Sequence, residues 1–311
     1  MLQDSIRNNR LASSYLFTGP EGVGKNLVAR TLAKALNCEK GDLDSCDECP
    51  SCLKMDKLNH PDLHLLPAAS GENDAEADAI KIEAIRQLQR EINLRPYEAK
   101  IKVFIINNAH QLTAEASNAL LKILEEPPLH SLIILITSKP SLLFRTIISR
   151  CRVIKFAALP RAELKEILKK DHHLPDEEAH FLASFCEGRL GFGMKMKESA
   201  VFREKNTIID SFSRHPDSNY DSALPQDRET IRKHLNILSI WLRDIYLVKT
   251  GIGGSEIINF DRRKELVKLA QDYSFADLDI AFKALSDSLL YLEQNINTRL
   301  LLSNLRLSLK G

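Results

Sequence analysis

The chain has 311 residues, with 43 Lys and Arg against 42 Asp and Glu and a formal charge of +1. About 150 residues per domain makes this two or three domains, and the charge balance excludes a polybasic coat for nucleic acid, whose affinity rests on net positive charge. A hydrophobic fraction of 44% exceeds that of a disordered chain, no run reaches the ~20 apolar residues that cross a bilayer, and the polar start Met1-Leu2-Gln3-Asp4 lacks a signal-peptide layout, so a soluble, cytoplasmic protein is expected.

In chain order, Tyr15-Leu16-Phe17-Thr18 reads as a buried strand feeding a Gly-rich turn. Behind the turn Leu27, Thr31, Leu32, Ala35 and Leu36 recur at helical spacing. Leu63 to Leu66 is a second short strand, and the small acidic stretch from Ser70 to Ala79 a loop. Ile82, Ile85, Leu88 and Ile92 share one helical face. Val103 to Ile106 and Leu132 to Ile136 are continuous apolar runs, the pattern of strands covered on both faces. Between them Thr113 is placed to cap a helix striped by Ala116, Ala119, Leu120, Ile123 and Leu124, which Pro127 and Pro128 stop. Val153 to Phe156 closes the series as a shorter strand. Strands alternating with helices imply a parallel sheet with helices on both faces.

Beyond Pro160 the strand signals fade. Arg161 to Lys170 and Asp176 to Cys186 read as short helices, with Gly188, Gly191 and Gly193 loosening the chain after them. Ser213 to Asp227 reads as a polar linker, and Arg228 onward as longer helices running through Trp241 and Tyr246 to Leu289–Leu309. No internal repeat or low-complexity tract interrupts the chain. The expected order is an α/β domain over 1–157, a small helical domain over 158–200 and a helical C-terminal domain over 201–311.

The turn after the first strand, Gly19-Pro20-Glu21-Gly22-Val23-Gly24-Lys25-Asn26, fits G-x-x-x-x-G-K-[ST] except at its last position. Gly19, Gly22 and Gly24 let backbone N–H groups turn around an anion, the helix N-terminus adds positive potential, and Lys25 reaches terminal phosphates. The hydroxyl that ligates Mg²⁺ in this motif is replaced by the Asn26 amide. The acidic pair that anchors the metal and orients attacking water belongs at the end of a buried strand. The strand Val103–Ile106 ends instead in Asn107-Asn108. Neither amide offsets a divalent cation or acts as a base, so the expectation is ATP bound weakly or not at all, and no turnover. A Gly-rich turn of no chemical consequence is the plain alternative.

Four of the six cysteines, Cys38, Cys46, Cys49 and Cys52, fall in a C-x7-C-x2-C-x2-C window between polar residues. Four thiolates satisfy tetrahedral Zn²⁺, and a full set without an open position favours a structural over a catalytic ion. Free or disulfide-linked thiols are the alternative. His60 and His64 lie nearby; His64 alternates within the strand and needs no ligand role.

Taken together these segments resemble the delta-prime family of bacterial DNA polymerase III clamp-loader subunits, relatives of the AAA+ ATPases. The resemblance runs through SSYLFTGPEGVGKN at 13–26, the four cysteines, HPDLHLL at 60–66, KVFIINNAHQLTAEASNALLKILEEPP at 102–128 and LIILITSKPSLLFRTIISRC at 132–151. It is specific over 13–156, weaker over 157–200 and architectural thereafter. It implies an AAA+ phosphate-loop sheet with an inserted zinc module at 38–52, a helical lid domain and an all-α collar. Ser149-Arg150-Cys151 matches the family's Ser-Arg-Cys motif, whose arginine enters the ATP site of the adjacent subunit. Guanidinium, always charged and multidentate toward phosphoryl oxygens, suits that task. Arg150 is therefore the expected finger acting in trans, with Arg145 and Arg152 as neighbours that sequence alone does not eliminate. Thr137 aligns with the polar residue that senses the terminal phosphate. Gly191 falls where active relatives carry a nucleotide-contacting arginine, and Arg189 is read as offset and solvated. Met1 begins close to the phosphate loop, so a preceding segment that helps enclose adenine is expected to be missing.

The resemblance implies a non-catalytic assembly subunit with motor (gamma/tau-type) and delta subunits as partners, acting on the sliding clamp and primed DNA through the complex and on no membrane. A motor-type ATPase with an unusual magnesium site is the alternative. An unrelated phosphate-loop kinase or nucleic-acid ATPase is a third reading, and the amides at 107–108 speak against both.

Overall fold

A computed structural model of the chain describes residues 2–8, 10–41, 43–66, 79–214 and 227–294. The described residues form two compact units, one up to Ala158 and one from Leu159.

In the first unit a short helix α1 (Leu2–Arg7) precedes β1 (Ser14–Thr18), and α2 (Lys25–Asn37) follows the Gly-rich turn. The cysteine segment leads into α3 (Pro50–Asp56) and then β2 (Leu63–Leu66). Next come α4 (Ile82–Ile92), β3 (Lys102–Ile106), α5 (Ala114–Glu125) and β4 (Ser131–Thr137). A one-turn helix α6 (Arg145–Ile148) leads to β5 (Arg152–Lys155). All five strands are parallel, in the order β2-β3-β4-β1-β5.

Side-chain alternation explains why the central strands carry unbroken apolar runs. Tyr15, Phe17, Val103, Ile105, Ile134 and Ile136 pack on the face covered by Ala29, Leu32, Ala33 and Leu36 of α2. Leu16, Phe104, Ile106, Ile133 and Leu135 pack on the other face, against Ile85 and Leu88 of α4 and Leu120 and Ile123 of α5. Each fully buried side chain of this kind contributes about 1.5–3 kcal/mol. Helices therefore cover both faces, as the sequence pattern requires.

The edge strand β5 starts one residue earlier than expected and is mostly exposed, with Arg152 and Lys155 on it, charges that discourage pairing with another chain. Thr113 caps α5 as expected, its hydroxyl accepting from Ala116 N at 3.2 Å. The helix ends at Glu125, ahead of the two prolines. Most of the expected acidic loop, residues 70–78, lies outside the described residues.

The second unit is all helical among the described residues: α7 (Arg161–Lys170), α8 (Asp176–Phe185), α9 (Leu190–Glu198), α10 (Val201–Arg214), α11 (Arg228–Lys249), α12 (Arg263–Asp272) and α13 (Phe275–Glu293). One buried cluster runs through it, centred on Ile231, Leu235, Leu238, Trp241, Leu242 and Ile245 of α11. Those positions recur every three or four residues, one stripe of a helix.

Three expectations need correction here. Gly191 and Gly193 do not loosen the chain but lie inside α9. A glycine costs a helix about 1 kcal/mol, which packing of Phe192, Met194 and Met196 against the core offsets. The linker begins later than Ser213, because α10 continues to Arg214. Arg189 is half-buried rather than solvated: its Nε donates to Cys186 O at 3.1 Å and its guanidinium lies 4.8 Å from the Phe192 ring centroid. The expected helix over Leu289–Leu309 is described only to Gln294. Among the described residues no helix is long and apolar enough to cross a membrane.

Candidate functional site

Because every strand is parallel, the turn after β1 and the ends of β3 and β4 meet at one edge of the sheet. Open α/β sheets bind ligands at this carboxyl edge. Gly19, Gly22 and Gly24 all have positive φ, at 143°, 76° and 90°. At Gly19 a Cβ would come 2.2 Å from the Phe156 carbonyl oxygen, so the chain admits no side chain there.

Lys25 opens α2 and is 7% exposed. Its ammonium donates to the loop's own Gly19 O at 2.6 Å and Pro20 O at 2.5 Å. Burial lowers its pKa, against the opposing pull of the Glu21 carboxylate. Beside it, Asn26 Nδ2 donates to Asn107 Oδ1 at 2.8 Å. The two amides that stand at the metal-ligand positions of the motif are thus bonded to each other. Asn108 takes a left-handed turn, φ 48°, ahead of a short 3₁₀ turn at 109–111.

Thr137, 1% exposed at the end of β4, lies between these elements. Its Oγ1 accepts from Lys139 N at 3.0 Å and sits 3.1 Å from His110 Nδ1. Burial, then the Lys139 charge, hold His110 below the ordinary imidazole range. Ser138 Oγ donates to Glu21 Oε1 at 3.1 Å and ties the end of β4 to the phosphate loop. Sequence reasoning missed His110, Ser138 and Glu21. No motif marks them, although His110 lies only three residues beyond Asn107.

Arg150 is elsewhere. It precedes β5, whose first residue Arg152 pairs with Tyr15 near the start of β1. Arg152 thus lies four residue steps, at ~3.3 Å each, or about 13 Å along the sheet, from Gly19 of the phosphate loop. The Nη2 of Arg150 donates to Glu125 Oε1 at 2.6 Å and its Nη1 to Thr146 O at 3.0 Å. Arg145, Arg150 and Arg152 are all exposed; Arg152 Nη1 donates to Ser5 Oγ at 3.5 Å, so only the bonding of Arg150 to Glu125 and Thr146 sets it apart from that contact.

The four cysteines converge, with Sγ atoms of Cys38, Cys46, Cys49 and Cys52 all within 4.8 Å of one another. Tetrahedral bonds of about 2.3 Å put sulfurs about 3.8 Å apart, so the set is close to the geometry a metal ion needs. Backbone N–H groups point at the sulfurs: Gly41 N and Cys46 N donate to Cys38 Sγ at 3.1 and 3.4 Å, and Cys49 N to Cys46 Sγ at 3.3 Å. Such donors favour thiolates. Burial opposes ionisation of Cys38, yet the N–H groups of Cys46, Lys40 and Gly41 and the Cys46 thiol bring it down to about 6. Burial and the neighbouring Cys49 push Cys52 up to about 12, so the four are not equally ready to ionise before a metal binds. The donor set therefore fits a metal ion. His60 and His64 stand outside it. His60 Nδ1 accepts from Asp62 N at 3.1 Å, and the His64 ring stacks on Phe104 with centroids 4.6 Å apart.

Ordinary polar contacts fasten the cluster to α2 and to the loop before β3. Lys100 Nζ donates to Cys38 O at 2.9 Å, and Lys34 bridges Asp47 and Asp56 at 2.6 and 2.8 Å. Asp62 organises the loop before β3. Fully buried, it accepts from the N–H groups of Tyr97, Glu98 and Ala99 at 2.8 Å each, with Lys102 Nζ at 3.9 Å. Burial raises its pKa, but these N–H donors and the lysine outweigh that and hold it below the ordinary carboxylate range.

Fold and site together define an α/β protein with a phosphate-loop turn, amides at its metal positions and a helical second unit. Comparison with known families is specific. Residues 1–160 match the family described as DNA polymerase III, delta subunit, and residues 222–310 match DNA polymerase III, delta subunit, C terminal. The chain belongs to this DNA polymerase III delta subunit family. DNA polymerase III subunit delta' of Bacillus subtilis is 39% identical over 172 residues, 55% of this chain and 50% of that protein. DNA polymerase III subunit tau of Escherichia coli is 35% identical over 206 residues, 64% of this chain and 31% of that one. The chain thus spans half the length, or less, of these relatives. A solved gamma subunit-related protein of Thermotoga maritima overlaps 99% of this chain and 98% of its own at 16% identity, with a TM-score of 0.42.

Proposed function

We propose that this chain is a non-catalytic, delta-prime-type clamp-loader subunit of the cytoplasm, acting in DNA replication. In this reading it assembles with gamma/tau-type motor and delta subunits, which load a sliding clamp on primed DNA. Its first unit serves as an AAA+ sheet whose own site holds ATP weakly or not at all. The rest of the chain is read as a lid over 158–200 and a collar over 201–311 that carries assembly contacts. Zinc is the metal that four thiolates with no other donor suit best; held by Cys38, Cys46, Cys49 and Cys52 it would supply a cross-link and no chemistry.

The observation that carries the reading is the bond between Asn26 and Asn107. Neutral amides turned toward each other offer no anionic cradle for Mg²⁺, and without one the developing phosphoryl charge has little to stabilise it. Arg150 supports the same reading from the far edge of the sheet. Its segment leads into the start of β5, about 13 Å of strand away from its own phosphate loop, which supports a role toward a neighbouring subunit.

Reconstitution with cognate motor and delta subunits tests the proposal. Adding the chain should raise DNA-stimulated ATPase, and Arg150→Ala should lower it while leaving assembly intact. Loss of assembly with that substitution would make Arg150 a packing residue, and turnover by the isolated chain that Lys25→Ala abolishes would restore the motor reading.

A further inference from the structure

We infer that Glu125 is the positioning residue for the Arg150 guanidinium, holding it in the direction needed for action in trans; the inference rests on the function proposed above. Glu125 is the last residue of α5, a helix capped by Thr113 at its start and anchored in the core by Ala116, Leu120, Ile123 and Leu124. Its Cα is therefore carried on a rigid mount. Arg150 comes just after the single turn of α6, two residues beyond Ile148. A long side chain after such a short element samples many rotamers unless something holds its tip.

Two acceptors hold it. Glu125 Oε1 takes one Nη2 proton at 2.6 Å and Thr146 O takes one Nη1 proton at 3.0 Å. Guanidinium has five N–H donors in a fixed plane, so three remain, including Nε–H, after these bonds. Two anchors on different nitrogens fix the plane, which one alone would leave free to rotate.

The pair is only half sheltered, with the side chains 35% and 49% exposed. Ion pairs at that exposure add little to stability, so fixing direction is the consequence that remains. Direction matters because groups that stabilise transition-state charge act through prealigned geometry, with little reorganisation during reaction. Glu125 lies in the segment NALLKILEEPP at 118–128. Helix packing accounts for its apolar residues and termination for its prolines, while neither accounts for a carboxylate at 125.

The test is a double-substitution cycle in the reconstituted complex with Glu125→Gln, Arg150→Ala and both together. Glu125→Gln keeps the size but exchanges the charge-assisted bond to Arg150 for a neutral one of about half its strength, too weak to hold the guanidinium plane. It should cut the Arg150-dependent share of DNA-stimulated kcat about tenfold, equivalent to ~1.4 kcal/mol, with KM for ATP and assembly unchanged. In the Arg150→Ala background it should cost nothing further. Wild-type or faster turnover with Glu125→Gln overturns the inference, as does an equal second loss in the Arg150→Ala background, which would mean Glu125 acts through the fold. No effect of Arg150→Ala itself refutes instead the trans-acting role on which the inference depends.

Discussion

Replacing Asn26 with Thr and Asn107 with Asp probes the proposed inactive site most directly. For a triphosphate to occupy the loop it must displace contacts already made there. The Asn26–Asn107 bond at 2.8 Å is neutral and worth about 1 kcal/mol net. The Lys25 bonds to Gly19 O and Pro20 O are charge-assisted, about 1.5–3 kcal/mol each. Together they oppose binding by about 4–7 kcal/mol, or three to five orders of magnitude in affinity. The native chain should therefore bind ATP in the millimolar range or more weakly, with no response to Mg²⁺. The double substitution breaks the amide clasp and supplies a hydroxyl and a carboxylate on its two sides. Titration calorimetry should then show ATP affinity at least ~10-fold tighter, and only when Mg²⁺ is present. Micromolar Mg²⁺-dependent binding by the native chain would refute the reasoning, and so would a double variant that ignores Mg²⁺.

The rest of the first unit carries two more expected outcomes. Elemental analysis of freshly reduced protein should find one zinc per chain, falling below half with Cys52→Ser, since removing one thiolate opens a closed tetrahedral set; hydrogen exchange should accelerate over 38–56 while β3 and β4 stay protected. Asp62→Asn should lower unfolding stability by about 3 kcal/mol, because an amide cannot satisfy three backbone donors beside a buried lysine. Asp62 ionises more readily in the folded chain than at its ordinary value of 3.8. Its contribution is therefore complete above that value and disappears as pH falls through the lower folded one. Urea midpoints measured over roughly pH 5 to 3 should thus fall less steeply in the variant than in the native chain, and parallel slopes would remove Asp62 from that account.

Much of this was legible because burial and capping leave local marks. The apolar runs at 103–106 and 132–136 read as strands covered twice, and Thr113 with Pro127 delimited α5 to within two residues. The cysteine spacing marked the four sulfurs as one set, and they converge in the fold, where Lys100 also holds the segment through Cys38 O. Helix α9 was not legible, since Gly191 and Gly193 argue locally against the helix that packing of Phe192, Met194 and Met196 produces. Arg189 was misplaced for a similar reason: its partner ring, Phe192, faces it only once α9 forms.

The sequence by itself determined the phosphate-loop turn, the neutral amides where carboxylates and a hydroxyl would bind metal, and the four-thiolate set, because each depends on residue type at short spacing. Tertiary structure decided that Asn26 and Asn107, 81 positions apart, bond each other, and that Glu125 holds Arg150 across 25 positions. It also put that arginine at the sheet edge opposite its own phosphate loop. These facts depend on strand order and on the direction in which parallel strands run, and no local spacing encodes either.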